Sequence, residues 1–454
     1  MRRPRDWQRE LDHVMPRNKV GQELEAISSV LDDNREILDL VYQDLIGLRQ
    51  ADTGRLGLSA EQVLRCAILK QYRQLTYEEL AFHLEDSASF RAFARLKGGQ
   101  YPSDSTLQEN IKAITPATWE AVHRVLMKYA QSRDVEKGRT IRIDSTAVEA
   151  DIHHPTDSTL LQDGIRVITR LLAEGKSLVP VPDYRLVDHN RAANRRVLII
   201  HNAKKEKKRD RAYRDLLALA EKVKGYAAEA IACLRNFVGA DLDQTIAAKM
   251  LADELEKMLS LFEKVMDQTR RRVLEKEKVP ATEKVVSLFE CHADVIVKGG
   301  RDTHYGHKVF LTGGQSGLIL DCLIATGNPA DATMYTPLLE RQIELYDRPP
   351  RQVAADGGFA SQENLADAKS MGVKDVMFAK KRGLSLLAMV KSLWVYKKLR
   401  NFRAGIEAAI SRLKCRFGLD RCTWRGWLGF QQYVWSAIVS YNVLVLGRLL
   451  AQPR

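Results

Sequence analysis

GRTIRIDSTAVEA, residues 138 to 150, decides the fold class. Ile141 and Ile143 alternate with the polar Thr140 and Arg142, the period of two expected of a strand with one apolar face. The strand runs into Asp144, and the following DSTAVEADIHH is dense in oxygen ligands: Asp144, Ser145, Glu149 and Asp151. Before Lys137 the pattern is helical, from about Gln22 to Ser132. Ser59 reads as an N-cap, Thr76 with Glu79 and Ser105 with Gln108 as capping boxes, and Thr115-Pro116 as a helix start with proline in its first position. Short helices joined by tight turns suit either a helix-turn-helix-like DNA reader, with Arg91, Arg95 and Lys97 near its basic surface, or a packed bundle with no groove contact.

Downstream of Pro155 the pattern is helical again, to about Pro280. Between Arg195 and Arg214, nine Lys or Arg face two acids, Glu206 and Asp210. Such a run is either a solvated face or a helical hairpin laid along a phosphate backbone. From Lys298 strands return. Tyr305-Gly306-His307-Lys308 leads into VFLT, and GGQSG turns the chain into a second strand, Leu318–Ala325. A helix over Ala332–Leu345 and a strand over Arg351–Ala355 follow, the strand delivering Asp356 into Gly357-Gly358. Gln362–Met371 reads as helix and Asp375–Ala379 as strand. A basic loop (Lys380, Lys381, Arg382) leads to a last long helical pattern from about Leu399 to Phe417.

That pattern contains NFRAGIEAAISRLK, residues 401 to 414. Leu399, Phe402, Ile406, Ile410, Leu413 and Phe417 form one apolar stripe. Beside it, within about 40° of one another at ~100° per residue, lie Arg403, Glu407 and Lys414. The bland account is an amphipathic helix with i,i+4 charge pairs. The sharper one is a carboxylate that holds a metal while its flanking cations hold a phosphate backbone. Asp144 and Asp356 would supply the partner carboxylates. Three carboxylates suit hard divalent cations, and two such cations can drive an in-line displacement at a phosphodiester.

At 454 residues the chain has room for two or three domains, and its 45% hydrophobic and 28% charged composition is that of a globular protein. The formal net charge of +13 favours a polyanionic partner. Six cysteines without CxxC spacing fit reduced thiols in a cytosolic protein. His292, His304 and His307 near Cys291 lack zinc-ligand spacing. The N-terminus, MRRPRDWQRE, has no apolar core of a signal peptide. The apolar stretch Ser436–Ala451 is broken by Tyr441, Asn442 and Arg448, which argues for a buried helix and against a membrane span.

IRIDSTAVEAD around Asp144, VAADGGFAS around Asp356 and RAGIEAAISRLK around Glu407 together resemble the DDE transposases of bacterial insertion sequences, and within them the ISNCY type. Arg403, Glu407 and Lys414 match the R-x3-E-x6-K part of the family's YREK signature, with Arg400 standing where its tyrosine would fall. The resemblance implies an α/β fold: a ribonuclease H-like core, with a mixed five-stranded sheet and helices, interrupted by a helical insertion and preceded by an all-helical DNA-binding region. The expected division is residues 1–135 for terminal-repeat recognition, 136–154 and 286–425 for the split core, 155–285 for the basic insertion, and 426–454 for a helix packing on the core. It implies catalysis by Asp144, Asp356 and Glu407 as ligands of two Mg²⁺ or Mn²⁺ ions. DNA contacts are expected at Arg403, Lys414, Arg400 and Lys308, and at Lys204, Lys205, Lys207 and Lys208 on the insertion. The partners would be double-stranded DNA, as terminal inverted repeats and target, and a second copy in a homodimeric DNA complex; no membrane is expected, and the location would be the bacterial cytoplasm, at the nucleoid. The competing activities are a nuclease of this fold without strand transfer, and a transposase-derived DNA-binding regulator.

Overall fold

Seven helices precede the first strand in the computed structural model, which describes residues 3–4, 18–47, 57–179, 182–298, 302–380 and 382–451. They are α1 Lys19–Asp33, α2 Glu36–Ile46, α3 Ala60–Arg73, α4 Tyr77–Asp86, α5 Ala88–Ala94, α6 Asp104–Ala113 and α7 Pro116–Ser132. Most of MRRPRDWQRE and Lys381 lie outside the described residues. The Ser59–Gln62 and Thr76–Glu79 capping boxes are formed, and Thr115 caps α7 with Pro116 at its start. The cap of α6 is Ser103, accepting from the Thr106 amide at 3.3 Å, and not Ser105. With serines at both 103 and 105, the spacing to Gln108 alone favoured the wrong one.

The chain divides into two units, residues 1–151 with 307–454 and residues 152–306. The first is built on a sheet. Strand β1 is Thr140–Glu149, β2 Asp294–Lys298, β3 Asp302–Gly313, β4 Ile319–Ile324, β5 Gln352–Ala355 and β6 Asp375–Phe378. Their order is β2-β3-β1-β5-β6, with β4 paired to β3. β1, β5 and β6 run parallel, in register from Thr140 opposite Gln352 to Ile143 opposite Ala355 and on to Phe378. β5 and β6 are short apolar runs buried on both faces, as strands at the centre of a helix-covered sheet must be.

Two expectations need correcting. Six strands are present among the described residues, not five: β2, DVIVK, is a brief apolar run between charges and pairs with the first residues of β3 in the second unit. β1 does not end at Asp144 but continues through it to Glu149, because Ala147 and Val148 are themselves buried.

Helix α12, Tyr335–Tyr346, joins β4 to β5, α13, Gln362–Ser370, joins β5 to β6, and a four-residue turn α14, Leu386–Met389, leads to α15, Leu393–Phe417. α15 begins six residues before the expected Leu399, because Ser392 caps it by accepting from the Val395 amide at 3.3 Å. Leu399, Ile406, Leu413 and Phe417 are buried and Phe402 and Ile410 half-buried, so the apolar stripe faces the sheet. The closing helix α16, Gly426–Ala451, is long and apolar enough to cross a membrane, yet 72% of its apolar window is buried inside the fold. Its Asn442 side chain makes a two-way amide pair with Ile319 of β4, donating at 2.7 Å and accepting at 2.9 Å. Gly447 lets α1 approach: a Cβ there would stand 2.7 Å from the Ala26 carbonyl.

Helices α1 to α7 are not packed as a separate body. Leu24, Ile68 and Leu126 share one buried cluster with Val309, Ile406 and Ile438. Arg341 of α12 fastens the join, bound to Asp321 of β4 at 2.5 Å and to Glu120 of α7 at 2.8 Å.

The second unit holds α8 Asp157–Leu178, α9 Asn190–Asn202, α10 Glu206–Asn236 and α11 Leu242–Thr269 around its own apolar core.

Candidate active site

Parallel pairing of β1 with β5 decides where two of the carboxylates stand. The register closes at Ile143 opposite Ala355, so Asp144 and Asp356 are the next residue on each of two adjacent strands. The Ser145 amide donates to Asp144 Oδ1 at 2.8 Å, which fixes that carboxylate and leaves Oδ2 for the interior of the site. Asp356 has left the strand and starts a short turn, Gly357–Phe359. α15 crosses both strands and brings in the third acid.

All three carboxylates meet at one cation. The Arg403 guanidinium lies 3.5 Å from Asp144 Oδ2 and 3.6 Å from Asp356 Oδ1 through Nη1, and 2.9 Å from Glu407 Oε1 through Nη2. Its side chain is 17% exposed and Asp144 is 18%, whereas Asp356 is 46% and Glu407 60%, so the cluster opens towards solvent on the Asp356 and Glu407 side. Arg403 Nε is buried and makes no hydrogen bond among the described residues. The two residues are i,i+4 neighbours on α15, as their spacing required, but only the tertiary fold adds the aspartates.

Beneath the cluster, Arg142 locks α15 to β1. Its Nη1 donates to the Phe402 carbonyl at 3.1 Å and its guanidinium lies 4.8 Å from the Phe402 ring centre. Gly405 makes the room: a Cβ there would fall 2.0 Å from Arg142 Nη1. The glycine of the RAGIE sequence is therefore a packing requirement, imposed by an arginine 263 positions earlier (405 − 142). Burial lowers the Arg142 pKa from its ordinary value.

A fourth acid, Asp331, also borders the site. Its Oδ1 accepts from Ser145 Oγ at 3.3 Å and from Lys308 Nζ at 3.2 Å, and a Cβ on Gly358 would stand 2.4 Å from its Oδ2. Nothing in the sequence set it apart, since an aspartate ahead of a helix is an ordinary start signal. Lys308 also donates to the Pro329 carbonyl at 2.8 Å and is 14% exposed. Its ammonium holds the site's rim together, which does not suit the DNA contact expected of it.

The other expected DNA contacts differ in their surroundings. Lys414 pairs with Asp420 at 2.9 Å. Arg400 is exposed on the outer face of α15. The nearest tyrosine, Tyr396, is buried and donates to the Phe378 carbonyl at 3.0 Å, so it does not stand in for the absent signature tyrosine. In the second unit, Lys204, Lys205, Lys207 and Lys208 are all exposed around the start of α10 and make no ion pair among the described residues. Cations in a first helical turn oppose the helix dipole, which gives that surface an unmet demand for anions. Arg91 and Arg95 look inward instead: Arg91 donates to the Lys97 carbonyl at 2.8 Å and Arg95 pairs with Asp32 at 2.9 Å.

Three carboxylates with no nitrogen or sulfur donor form a set for hard divalent cations. No three acidic, histidine or cysteine side chains are gathered as a ready metal cage among the described residues. The acids are gathered instead around Arg403, a site already built to hold positive charge, and in that respect they fit divalent ions. His307 is buried with its Nδ1 3.1 Å from the Ala325 carbonyl, and His292 pairs with Glu290 at 2.8 Å.

Two family models match the chain. One, described as "Transposase DDE domain", covers residues 292–443, and the other, "Transposase domain (DUF772)", covers residues 9–113. The first match includes Asp356 and Glu407 but not Asp144, which joins them only through the β1–β5 pairing. Neither the curated proteins nor the solved structures contain a match.

Proposed function

Because this chain belongs to the DDE transposases of insertion-sequence type, enzymes that cleave DNA and transfer its ends, we propose that Asp144, Asp356 and Glu407 are its catalytic carboxylates. The observation that carries this reading is their convergence on Arg403 from β1, from the end of β5 and from α15. The sheet order supports a ribonuclease H-like core: an antiparallel β4-β3 pair beside β1, then β5 and β6 parallel to it. The R-x3-E-x6-K spacing on α15 supports the ISNCY type.

The family's dependence on a divalent cation fits the acidic donor set, and Asp144, Asp356 and Glu407 would hold two Mg²⁺ or Mn²⁺ ions. When bound, such ions activate the attacking oxygen and stabilise the leaving oxygen of a phosphodiester. The chain's own groups supply position and charge. Ser145 orients Asp144 through its amide, and Arg142 sets the height of α15 and with it Glu407. Arg403 neutralises the three acids, and its planar fork is also well shaped to hold a phosphate oxygen beside them. Water cuts the strand at the element's end, leaving a 3′-hydroxyl that attacks target DNA. Residues 1–135 read the terminal repeat and the 155–285 insertion adds backbone affinity through Lys204, Lys205, Lys207 and Lys208. The DNA complex is a homodimer, acting in the bacterial cytoplasm. A duplex bearing the inverted repeats that flank the gene tests this: wild type should cut it and join pre-cleaved ends to target. Asp144→Asn should bind the duplex yet do neither. Cutting without joining would reduce the chain to a nuclease.

A further inference from the structure

The first unit carries a second site, away from the acidic triad, with the opposite charge. A cavity of about 590 Å³ lies between α3, α4 and α6 on one side and the connection from α15 to α16 on the other. Lys70, Lys112, Lys414, Arg421 and Arg425 line it, against Asp151 and Asp420. The two acids are already engaged, Asp420 with Lys414 at 2.9 Å and Asp151 with Arg421 at 3.7 Å. Lys70, Lys112 and Arg425 are left without a carboxylate among the described residues.

Lys70 is the anomaly. It is 6% exposed, and its ammonium makes no hydrogen bond or ion pair among the described residues. It lies 4.6 Å from the ring centre of Tyr77 and 5.9 Å from that of Trp424. Aromatic faces attract a cation but do not accept its three N–H bonds. Behind the same wall, Tyr77 Oη and Trp424 Nε1 are buried without a hydrogen-bond partner among the described residues. Lys70 and Lys112 thus line one cavity with no hydrogen bond or ion pair to their ammonium groups among the described residues, although buried polar groups are nearly always satisfied. Burial pushes the Lys70 ammonium down to about 8, and Lys112 adds to the effect; Glu79 and Cys422 oppose it more weakly.

Resting on the reading of this chain as a DNA transposase, we propose that this cavity is a phosphate-binding site that receives one backbone phosphate of DNA, with Lys70 and Lys112 as its contacts. A phosphate offers only acceptors and negative charge, which is what Lys70 and Lys112 lack. The cavity exceeds a free phosphate and has room for the attached sugars. The Tyr77 and Trp424 rings stack on each other, with centres 6.4 Å apart, and serve Lys70, so the wall is a cradle for charge. The site also lies on the way to the triad. Lys414, on its rim, is seven residues beyond Glu407 on α15 (414 − 407), about 10 Å along the helix axis. That is about three nucleotide steps at ~3.4 Å each. The cavity thus clamps the strand a short way from the scissile bond, and joins the N-terminal helices to the catalytic ones through the substrate.

The test uses the full chain, with inorganic phosphate and a duplex as probes. Lys70→Met keeps the length of the side chain between the rings and removes the charge. Phosphate should raise the wild-type Tm and leave Lys70→Met unmoved. The slope of log affinity for DNA against log salt should fall by about 0.9, the value for one lost phosphate contact. Lys112→Gln, at a half-buried position, should lower the slope likewise and carries the test if Lys70→Met does not fold. A phosphate response kept in full, or a slope unchanged in both variants, overturns the site. Loss of the phosphate response with an unchanged slope means a site for a free anion, and overturns the assignment to DNA. Asp144→Asn should keep the wild-type slope while losing cleavage; if it still cleaves, the triad reading fails and the cavity's assignment stands.

Discussion

Arg403 is the residue on which the site turns, because one guanidinium neutralises three carboxylates that would otherwise repel one another. Arg403→Ala should therefore lower the Tm in a chelator, and Mg²⁺ should raise it by more than in wild type, since no internal cation competes for the acids. Equal Mg²⁺ responses in the two proteins would show that Arg403 is not the metal-free counter-ion. Lys70 gives a second residue-scale outcome, in the alkaline range. Its folded value is about 8 against an ordinary 10.5, so between those values the unfolded chain holds more protons and stability rises with pH. The gain at pH 10.5 over pH 7 is about 3 kcal/mol at ~1.4 kcal/mol per unit, and Lys70→Met should lack it. Thermal melts of both proteins across that range check the difference; parallel curves would contradict it. Of these groups, Arg403 and Glu407 were legible from helical spacing alone. Lys70 and Asp331 were not, because an interior lysine on an amphipathic helix and an aspartate before a helix carry no signal until the fold surrounds them.

At the scale of elements, α15 is placed by an unusual contact: the buried Arg142 side chain passing over Gly405. Gly405→Ala would gain helix propensity, worth ~1 kcal/mol in an open helix. Here its methyl would meet Arg142 Nη1, and displacing a buried, bonded guanidinium costs more than that gain. The variant should melt lower than wild type and cleave more slowly at unchanged DNA affinity, because Glu407 is two residues away. A higher Tm with normal cleavage would mean α15 is not held through Arg142. The element order was readable because period two and period 3.6 are distinct signals, and the stripe from Leu399 to Phe417 is buried as its spacing required. Element ends were less readable. β1 runs through Asp144 because its later residues find cover that only the three-dimensional fold provides, and α15 starts early because Ser392 caps it.

For the whole molecule, the N-terminal helices share their core with the sheet and α16, and Arg341, Asn442 and Gly447 fasten the join. Composition could announce a helical region before an α/β block, but it could not say that no packing boundary separates them. Removing residues 1–135 would strip apolar cover from α16 and the sheet, so end recognition must be measured in the full chain. Asp144, Asp356 and Glu407 are brought together across 212 and 51 residues (356 − 144 and 407 − 356). Single-turnover cleavage in Mg²⁺ tests whether they act as one site, with Asp144→Asn, Asp356→Asn, Glu407→Gln and the triple variant. Each single change should lose several orders of magnitude at unchanged DNA affinity, and the triple variant should be little worse than the weakest single, since groups acting as one unit are far from additive. A Glu407→Gln enzyme cleaving at near the wild-type rate would remove Glu407 from the site and turn attention to Glu149 or Asp151.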